Sequence, residues 1–157
     1  AEKVALSYSA LTNIDLCTQI GAIIGNQSVV VVIDVKKKKL FGGYDIYTHN
    51  GTKKSKWKLD DFVAKLEEIG IGEIIINSID NDGTMLGYDL GLVDNIREKC
   101  NMPITVLGGA GSLDDVKKLI NKFKIIGAAA GSLFVFKGKY RAVLISYPNR
   151  QERKPLY

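Results

Sequence analysis

The chain has 157 residues, of which 46% are hydrophobic and 25% are charged, which is typical of one globular domain with a sizeable core. No apolar run approaches the roughly 20 residues that span a bilayer, so we expect no membrane segment. Cys17 and Cys100 lack metal-ligand spacing and no secretory pattern opens the chain, which together favour a reduced, cytoplasmic protein.

The formal net charge is +5, from 22 basic and 17 acidic residues, and the basic excess lies in residues 36–39, 53–58 and from 137 onward. Lysine clusters of this kind hold nucleic acid, hold phosphorylated small molecules or are simply solvated. No RNA-binding aromatic motif, zinc-finger spacing or recognition-helix pattern accompanies them. We therefore predict that nucleic acid is not a partner.

Apolar runs and amphipathic segments alternate along the chain, separated by turn residues. In chain order they predict a strand at 4–8, a helix at 11–25, a strand at 28–35, a helix at 59–70, a strand at 73–79, a helix at 90–100, a strand at 103–109, a helix at 112–123, a strand at 125–136 and a short helical stretch from 139. Before the second helix, two strand-like pieces at 37–41 and 44–49 flank Gly42-Gly43, which predicts a hairpin.

Five continuously apolar strands that alternate with helices indicate an α/β fold with a parallel sheet. Each strand ends in a polar or glycine-rich turn, and sites in such folds form at the carboxyl ends of the strands. Asp34, which ends the most hydrophobic segment, is therefore expected at the mouth of a site. Because all five strand ends carry such residues and no GxGxxG follows the first strand, we predict one domain over residues 1–157 that is the C-terminal part of a (β/α)₈ barrel.

The stretch from Gly108 to Ser112 follows a strand and opens a helix, an arrangement that suits a phosphate group. Gly131-Ser132 follows the next strand, and barrels often build a phosphate site from the loops after their last two strands. The alternative is a plain tight turn, with Ser112 and Asp115 forming an ordinary capping box. We predict a phosphorylated small-molecule ligand.

Carboxylates at strand ends can serve as general acids or bases, which favours Asp34 and leaves Asp80 and Asp82 open between catalysis and turn formation. The DNDGT stretch lacks the distal glutamate of a calcium loop, so we predict no metal. His49, the only histidine, lies in a polar turn, which favours loop polarity over the alternative of a catalytic role. Lys3 and Glu73 open their strands, which places them at the opposite, bottom end of a barrel, as an ion pair or as the lining of an entrance.

Five segments of the chain together resemble, in order and spacing, one known family. The segments "AEKVAL", "GNQSVVVVIDVK", "GEIIINSIDNDGTMLGYD", "LGGAGSLDD" and "AAAGSLF" are similar to the C-terminal five strands of the HisF-type cyclase subunit of imidazole glycerol phosphate synthase. The resemblance implies a barrel that receives ammonia from a glutaminase partner, HisH, docked on its bottom face. It implies a reaction that converts the ribonucleotide PRFAR to imidazole glycerol phosphate and AICAR, without a cofactor.

The resemblance also implies roles for the residues that match its motifs. Asp34 corresponds to the second catalytic aspartate, the acid/base on strand five of the barrel, whereas no residue here corresponds to the first. The implied substrate and phosphate contacts are Asp82, Gly83, Thr84, Gly108, Gly109, Gly131 and Ser132, with Ser7 at the position of a second phosphate site. Lys3 and Glu73 correspond to members of the charged ammonia gate, and Glu2 lies where the family commonly has an aspartate that contacts the glutaminase.

Two departures from the family pattern fall where substrate is held. Ser7-Tyr8 replaces the usual Asn-Thr of the second phosphate site, and Leu107 replaces a serine before the glycine pair. The segments "KKKKLFGGYDIYTHNG" and "GSLFVFKGKYRAVLISYPNRQE" resemble a paralogous branch associated with acetamidino modification of surface-polysaccharide or nonulosonic-acid sugars. The functions that stay open are thus the histidine-pathway cyclase, the sugar-modifying paralogue and a non-catalytic phosphate-binding barrel fragment.

Overall fold

A computed structural model of the chain describes residues 1–40 and 42–156. Seven strands form one mixed sheet: β1 (Val4–Leu6), β2 (Val29–Lys37), β3 (Tyr44–Thr48), β4 (Lys53–Lys58), β5 (Glu73–Ser78), β6 (Ile104–Leu107) and β7 (Gly127–Ala128). The helices are α1 (Tyr8–Thr12), α2 (Asp15–Ile24), α3 (Leu59–Ile69), α4 (Leu90–Arg97), α5 (Leu113–Phe123), α6 (Ser132–Val135) and α7 (Arg150–Arg153). A separate two-stranded hairpin of β8 (Phe136–Lys137) and β9 (Ala142–Val143) lies between α6 and α7. Among the described residues, no helix is long and apolar enough to cross a membrane.

The parallel strands lie in the order β1, β2, β5, β6, β7, each beside the next parallel strand of the sequence. One edge of β2 pairs with β5 along most of its length. The other edge pairs first with β1 and then, from Asp34 onward, with the antiparallel strand β3, so the β3–β4 hairpin extends from the carboxyl end of β2. Sequential parallel neighbours joined through helices are the arrangement of a β/α barrel.

The two faces of the parallel sheet differ in burial. One face packs under the helices and contributes fully buried side chains to the core, among them Val31, Ile33, Ile74, Ile76 and Val106. The alternating positions form the other face, which we call the inner face, and several of them are only half-buried: Asp34, Glu73, Ile75, Asn77, Thr105 and Leu107. The prediction of continuously apolar strands therefore describes the helix-covered face, whereas the inner face carries the polar groups.

Local sequence signals account for where the longer helices begin and end. Helix α3 carries Asp60 and Asp61 in its first turn and ends at Gly70 in the left-handed conformation, as expected from the helix dipole and from glycine termination. Helix α5 begins with a complete capping box between Ser112 and Asp115.

In the first half of the chain, one predicted helix and one predicted hairpin need correction. The helix predicted over residues 11–25 is two helices, because the chain leaves helical geometry at Asn13, whose backbone is extended. The first arm of the predicted lysine-rich hairpin is the continuation of β2 to Lys37, closed by the bond from the Lys38 N–H to the Gly43 carbonyl. Phe41, the last residue of the predicted arm, lies outside the described residues.

The C-terminal part departs furthest from the sequence prediction. The strand predicted over residues 125–136 is reduced to Gly127–Ala128, because the chain turns into α6 at Ser132. The helical stretch predicted from residue 139 is instead the tip of the β8–β9 hairpin, followed by the short helix α7. Gly138, with a φ of +73°, starts the turn that reverses the chain there, a conformation that glycine adopts at little cost.

Candidate functional site

Asp34 and Asn77 are register partners on the inner face, near the carboxyl ends of β2 and β5. The Nδ2 group of Asn77 donates a hydrogen bond to Oδ1 of Asp34 over 2.8 Å. The other amide atom of Asn77, Oδ1, is buried and has no hydrogen-bond partner among the described residues. Asp34 therefore stands where the sequence predicted it, with its carboxylate oriented by a neighbour that the sequence analysis did not single out.

The sequence contains a signal that points to Asn77 as a partner of Asp34. It is the only polar residue at an inner-face position of the predicted strand after the initial Glu73, and in-register parallel pairing places such a residue beside the aspartate of the neighbouring strand. What the sequence could not supply was the register itself, which pairs Asn77 with Asp34.

The glycine-rich loops after β6 and β7 form one concave surface, which we call the glycine cradle. Its lining residues are Asp82, Gly83, Leu107, Gly108, Gly109, Ala110, Ala130, Gly131 and Ser132. The structure thus brings together residues of all three loops that the sequence predicted to contact substrate, although Thr84 is not among the lining residues. Among the described residues, the backbone N–H groups of Gly109 and Gly131 donate no hydrogen bond within the protein, and such amides are suited to an anion.

Glycine is required in the cradle by close backbone contacts. A Cβ atom on Gly108 would lie 2.6 Å from the Ser78 carbonyl oxygen, and one on Gly109 would lie 2.1 Å from the Gly87 carbonyl oxygen. Both glycines have positive φ angles, +96° and +102°, which side chains rarely tolerate. The Gly87 N–H also donates to the Gly109 carbonyl over 2.7 Å, so the loop after β5 is bonded to the cradle.

The start of α5 is already occupied by the chain itself. Oδ2 of Asp115 accepts hydrogen bonds from the backbone N–H groups of Gly111 and Ser112 and from the Ser112 hydroxyl. An anion on the cradle therefore has no access to those two N–H groups. The phosphate prediction consequently depends on Gly108, Gly109 and the loop after β7 rather than on the start of the helix.

The loop after β5 holds its own shape through internal bonds. Asp80 accepts a hydrogen bond from the Lys37 N–H over 2.8 Å, which ties this loop to β2. The Thr84 hydroxyl donates to the Asn81 carbonyl over 2.7 Å, while Asp82 lies at the rim. Asp80 thus bonds to β2, whereas Asp82 is the carboxylate of this loop that lines the cradle.

A buried tyrosine supports the cradle from below. The Tyr88 hydroxyl donates to the Ala129 carbonyl over 3.0 Å and so joins the chain after the β5 loop to the end of β7. Burial, with a smaller contribution from the charge of Asp115, raises the pKa of Tyr88 to about 12. The hydroxyl therefore stays protonated at neutral pH and acts as a fixed donor.

A polar network closes the opposite end of the inner face. Lys3 Nζ lies 2.6 Å from Glu73 Oε2, and the Thr105 hydroxyl donates to the other carboxylate oxygen of Glu73. Burial acts to raise the pKa of Glu73, but the hydrogen bonds from Lys3 and Thr105 and the charge of Lys3 outweigh it, so the pKa is lowered. Lys3 directly precedes β1, and β2 lies between β1 and β5, which begins at Glu73. Contact across an intervening strand is typical of the side-chain layers inside a barrel.

Glu2 is exposed beside this network, at the same end of the sheet. The structure therefore places Lys3 and Glu73 in contact, with Glu2 next to Lys3 in the chain, at the opposite end of the sheet from Asp34. Their roles as gate or partner contacts stay predictions.

The residues that follow β1 meet the turn that follows β3. Ser7 is the residue before α1, and its carbonyl accepts the Ala10 and Leu11 N–H groups, while its hydroxyl is not used as a helix cap. The rings of Tyr8 and His49 lie edge to face with their centroids 4.9 Å apart. His49, which was attributed to loop polarity, is thus packed against Tyr8.

The ordered parallel strands and the helices that join them define a protein of the β/α-barrel class, and the carboxylate and the glycine cradle form a candidate site at the carboxyl ends of its strands. The family model described as "Histidine biosynthesis protein" matches residues 1–141. The chain belongs to this family, and the predicted fold class, part of a (β/α)₈ barrel, is confirmed.

Relatives with names of the predicted kind cover almost the whole chain. A "Putative imidazole glycerol phosphate synthase subunit HisF" from Leptospira borgpetersenii is 51% identical over 99% of this chain and 61% of the relative. A "Putative imidazole glycerol phosphate synthase subunit hisF3" from Vibrio vulnificus is 50% identical over 98% and 59% of the two chains. An "Imidazole glycerol phosphate synthase subunit HisF" from Prochlorococcus marinus is 36% identical over 85% and 52%.

These relatives confirm the resemblance to the HisF family that the sequence motifs indicated. The chain spans 61% of the length of the Leptospira relative and 59% of that of the Vibrio relative. The activity, substrate and partners of the whole protein are therefore matters of proposal.

Proposed function

We propose that the protein acts as a HisF-type cyclase subunit, which uses ammonia to convert PRFAR to imidazole glycerol phosphate and AICAR. The observation that carries the proposal is the position of Asp34: its carboxylate is held by Asn77 at a strand end, on the same edge of the sheet as the glycine cradle. A substrate whose phosphate sits on the cradle presents its reacting atoms to an oriented carboxylate.

In this proposal Asp34 moves protons at the nitrogen atoms that react. Addition of ammonia to an electrophilic carbon creates an N–H-rich intermediate, which must lose protons before a ring closes and a leaving group departs. A carboxylate accepts and returns such protons, and the hydrogen bond from Asn77 keeps it aimed. Gly109 and Gly131 contribute backbone N–H donors to the phosphate, and Asp82 contacts the polar part of the substrate at the rim.

The network at the opposite end of the inner face supports a second part of the proposal. Lys3, Glu73 and Thr105 form a polar cluster at the bottom end of the sheet. We propose that this end receives ammonia from a HisH-type glutaminase, with Glu2 in the contact surface. The ammonia then travels along the inner face from Glu73 toward Asp34.

The test is turnover of PRFAR by the native protein that carries this sequence, supplied with an ammonium salt so that no glutaminase is needed. We expect release of imidazole glycerol phosphate in the wild type and its loss in Asp34→Asn. The control is Asp94→Asn, which removes a carboxylate from the exposed face of α4, where it pairs with Lys122. Turnover retained by the Asp34 variant would overturn the catalytic assignment.

Asp34→Asn should fold normally, because the new carbonyl oxygen can still accept the hydrogen bond from Asn77. Thermal unfolding of both variants separates a lost catalytic group from a lost fold. Phosphate binding without turnover in the wild type would instead support the non-catalytic phosphate-binding alternative.

A second candidate is ammonia-dependent acetamidino modification of a sugar. It is favoured by Ser7-Tyr8 and Leu107, which change the substrate side of the site while Asp34 is kept. No PRFAR turnover by a folded protein, with ammonium consumed in the presence of a nonulosonic-acid or related sugar acceptor, would select this candidate.

A further inference from the structure

The C-terminal hairpin contacts the loop that forms one wall of the glycine cradle. Nη2 of Arg141 donates a hydrogen bond to the Gly83 carbonyl over 2.6 Å, although the two residues are 58 positions apart in the sequence. Gly83 lines the cradle. The guanidinium of Arg141 therefore contacts the backbone of a residue that lines the cradle, although Arg141 is not itself a lining residue.

The hairpin is also anchored to the other wall of the cradle. Ser132, a lining residue, is the first residue of α6. The chain after β9 returns along α6, because the Leu144 N–H donates to the Val135 carbonyl over 2.9 Å and the Ser146 N–H donates to the Phe134 carbonyl over 2.8 Å. The hairpin thus joins the loop after β5 to the loop after β7.

Arg141 has a backbone conformation that is uncommon for its residue type. Its φ is +48°, in the left-handed region that non-glycine residues seldom occupy. The N–H of Arg141 donates to the Gly138 carbonyl over 3.1 Å and closes the turn that holds this conformation. Strained positions of this kind concentrate where ligands are held.

The charged side chain that lines the glycine cradle is a carboxylate, so a phosphate bound there would need a cationic contact. Its lining includes the carboxylate Asp82 and, among the described residues, no lysine or arginine. A phosphate group placed beside Asp82 would experience like-charge repulsion that backbone N–H dipoles offset only in part. Arg141 brings a positive charge to the Gly83 carbonyl. A guanidinium has five N–H donors, of which the Gly83 bond uses one.

We propose that Arg141 is a ligand-contacting residue that binds the anionic group held on the glycine cradle and at the same time fixes the Gly83 loop. The ligand class is a phosphate monoester. The proposal rests on the proposed function only in placing a phosphate on the cradle, and it adds a cationic contact from the C-terminal hairpin.

The test is the affinity of the native protein for inorganic phosphate, measured from the shifts of its backbone amide resonances in an NMR titration. We expect Arg141→Gln to weaken phosphate binding at least tenfold. The matched control is Lys139→Gln, which removes one positive charge from the same exposed hairpin tip and should change the affinity less than twofold. Arg141→Lys should recover part of the loss, because it restores the charge without the fork of donors.

Hydrogen exchange tests the second role of Arg141. In Arg141→Gln the amides of residues 82–84 should exchange faster than in the wild type, whereas in Lys139→Gln they should not. Equal phosphate affinity in the two glutamine variants, or no phosphate binding by the wild type, would overturn the proposal. Turnover of PRFAR is measured separately. Turnover that is unaffected by Arg141→Gln would contradict the role of Arg141 but not the cyclase proposal. Phosphate binding that depends on Arg141, without turnover, would support the role of Arg141 and contradict the cyclase proposal.

Discussion

The side-chain amide of Asn77 donates to Asp34 while its own oxygen stays buried, with no partner among the residues that the structure describes. Leaving an acceptor unsatisfied in this way costs about 1–3 kcal/mol, a cost that an apolar side chain on this strand would avoid. The hydrogen bond to Asp34 is the interaction that such an apolar side chain could not make. Asn77 is therefore best understood as a positioning residue for the carboxylate.

Substitution of Asn77 should separate positioning from packing. Thr and Val have nearly the same shape, but only Thr can donate to Asp34. Loss of a hydrogen bond to a charged group costs about 1.5–3 kcal/mol, so we expect Asn77→Val to lower kcat roughly tenfold to a hundredfold. Asn77→Thr should keep most of the activity.

The measurement is steady-state turnover with an ammonium salt, with kcat and KM determined separately for both variants. Because the substitution leaves the proposed phosphate contacts of the cradle in place, KM for the proposed phosphorylated substrate should change little. Equal rates for the Thr and Val variants would show that Asn77 acts only by filling space.

The cradle glycines make a second prediction, which concerns stability. Ala at position 109 places a methyl group 2.1 Å from the Gly87 carbonyl oxygen in a residue with a φ of +102°. We expect Gly109→Ala to lower the free energy of unfolding by about 2 kcal/mol or more, because backbone strain alone costs about 1–3 kcal/mol. Chemical denaturation measures the change.

Gly131→Ala is the matched control within the same cradle. A Cβ atom at position 131 meets nothing within 4 Å, and its φ of −108° is open to any residue. Its free energy of unfolding should change by less than about 0.5 kcal/mol. Similar destabilisation by both substitutions would contradict the close-approach account of Gly109.

The sequence could predict the layers of the fold and the direction of the site, because hydrophobic periodicity and strand-end polarity are local signals. Asp34 is the clearest case, since a carboxylate that ends a β-branched run is expected where a buried strand reaches the site edge of the sheet. Asn77 could not be paired with it, because register depends on the packing of whole strands. The contact between Arg141 and Gly83 could not be predicted, because the chain from residue 139 was expected to be helical. Only the β8–β9 hairpin brings Arg141 to Gly83.

A third prediction concerns the close packing of β6 and β7 beside the polar network of Lys3, Glu73 and Thr105. A Cβ atom on Gly127 would lie 2.0 Å from the Thr105 hydroxyl, which is the group that donates to Glu73. Gly127→Ala should therefore displace Thr105 from Glu73 and destabilise the protein by about 1–3 kcal/mol. Thr105→Val has already lost the hydroxyl. In that variant, Gly127→Ala should therefore change the free energy of unfolding by a different amount than it does in the wild type. A double-mutant cycle measures this coupling.

Strictly additive effects of the two substitutions would contradict this account of the contact. Because residues in direct contact couple by about 0.5–3 kcal/mol, the cycle has enough range to decide. The single Thr105→Val variant also reports what the bond to Glu73 contributes on its own.

The lowered pKa of Glu73 predicts how stability depends on pH. A carboxyl group whose pKa is lower in the folded than in the unfolded chain stabilises the fold while it is ionised in both states, and that contribution is lost as the pH falls through the folded pKa. We therefore expect the stability difference between the wild type and Glu73→Gln to be constant above about pH 5 and to shrink progressively below it. Urea unfolding across this pH range measures the difference.

The control for this pH dependence is Glu68→Gln, which removes a carboxylate from an exposed pair with Lys65. Because Lys3 is more than half exposed, the Thr105 hydrogen bond should account for much of the effect at Glu73. Thr105→Val should therefore bring the wild-type curve closer to that of Glu73→Gln. A stability difference that stays constant down to acid pH would mean that the Lys3 and Thr105 contacts do not favour the ionised form of Glu73.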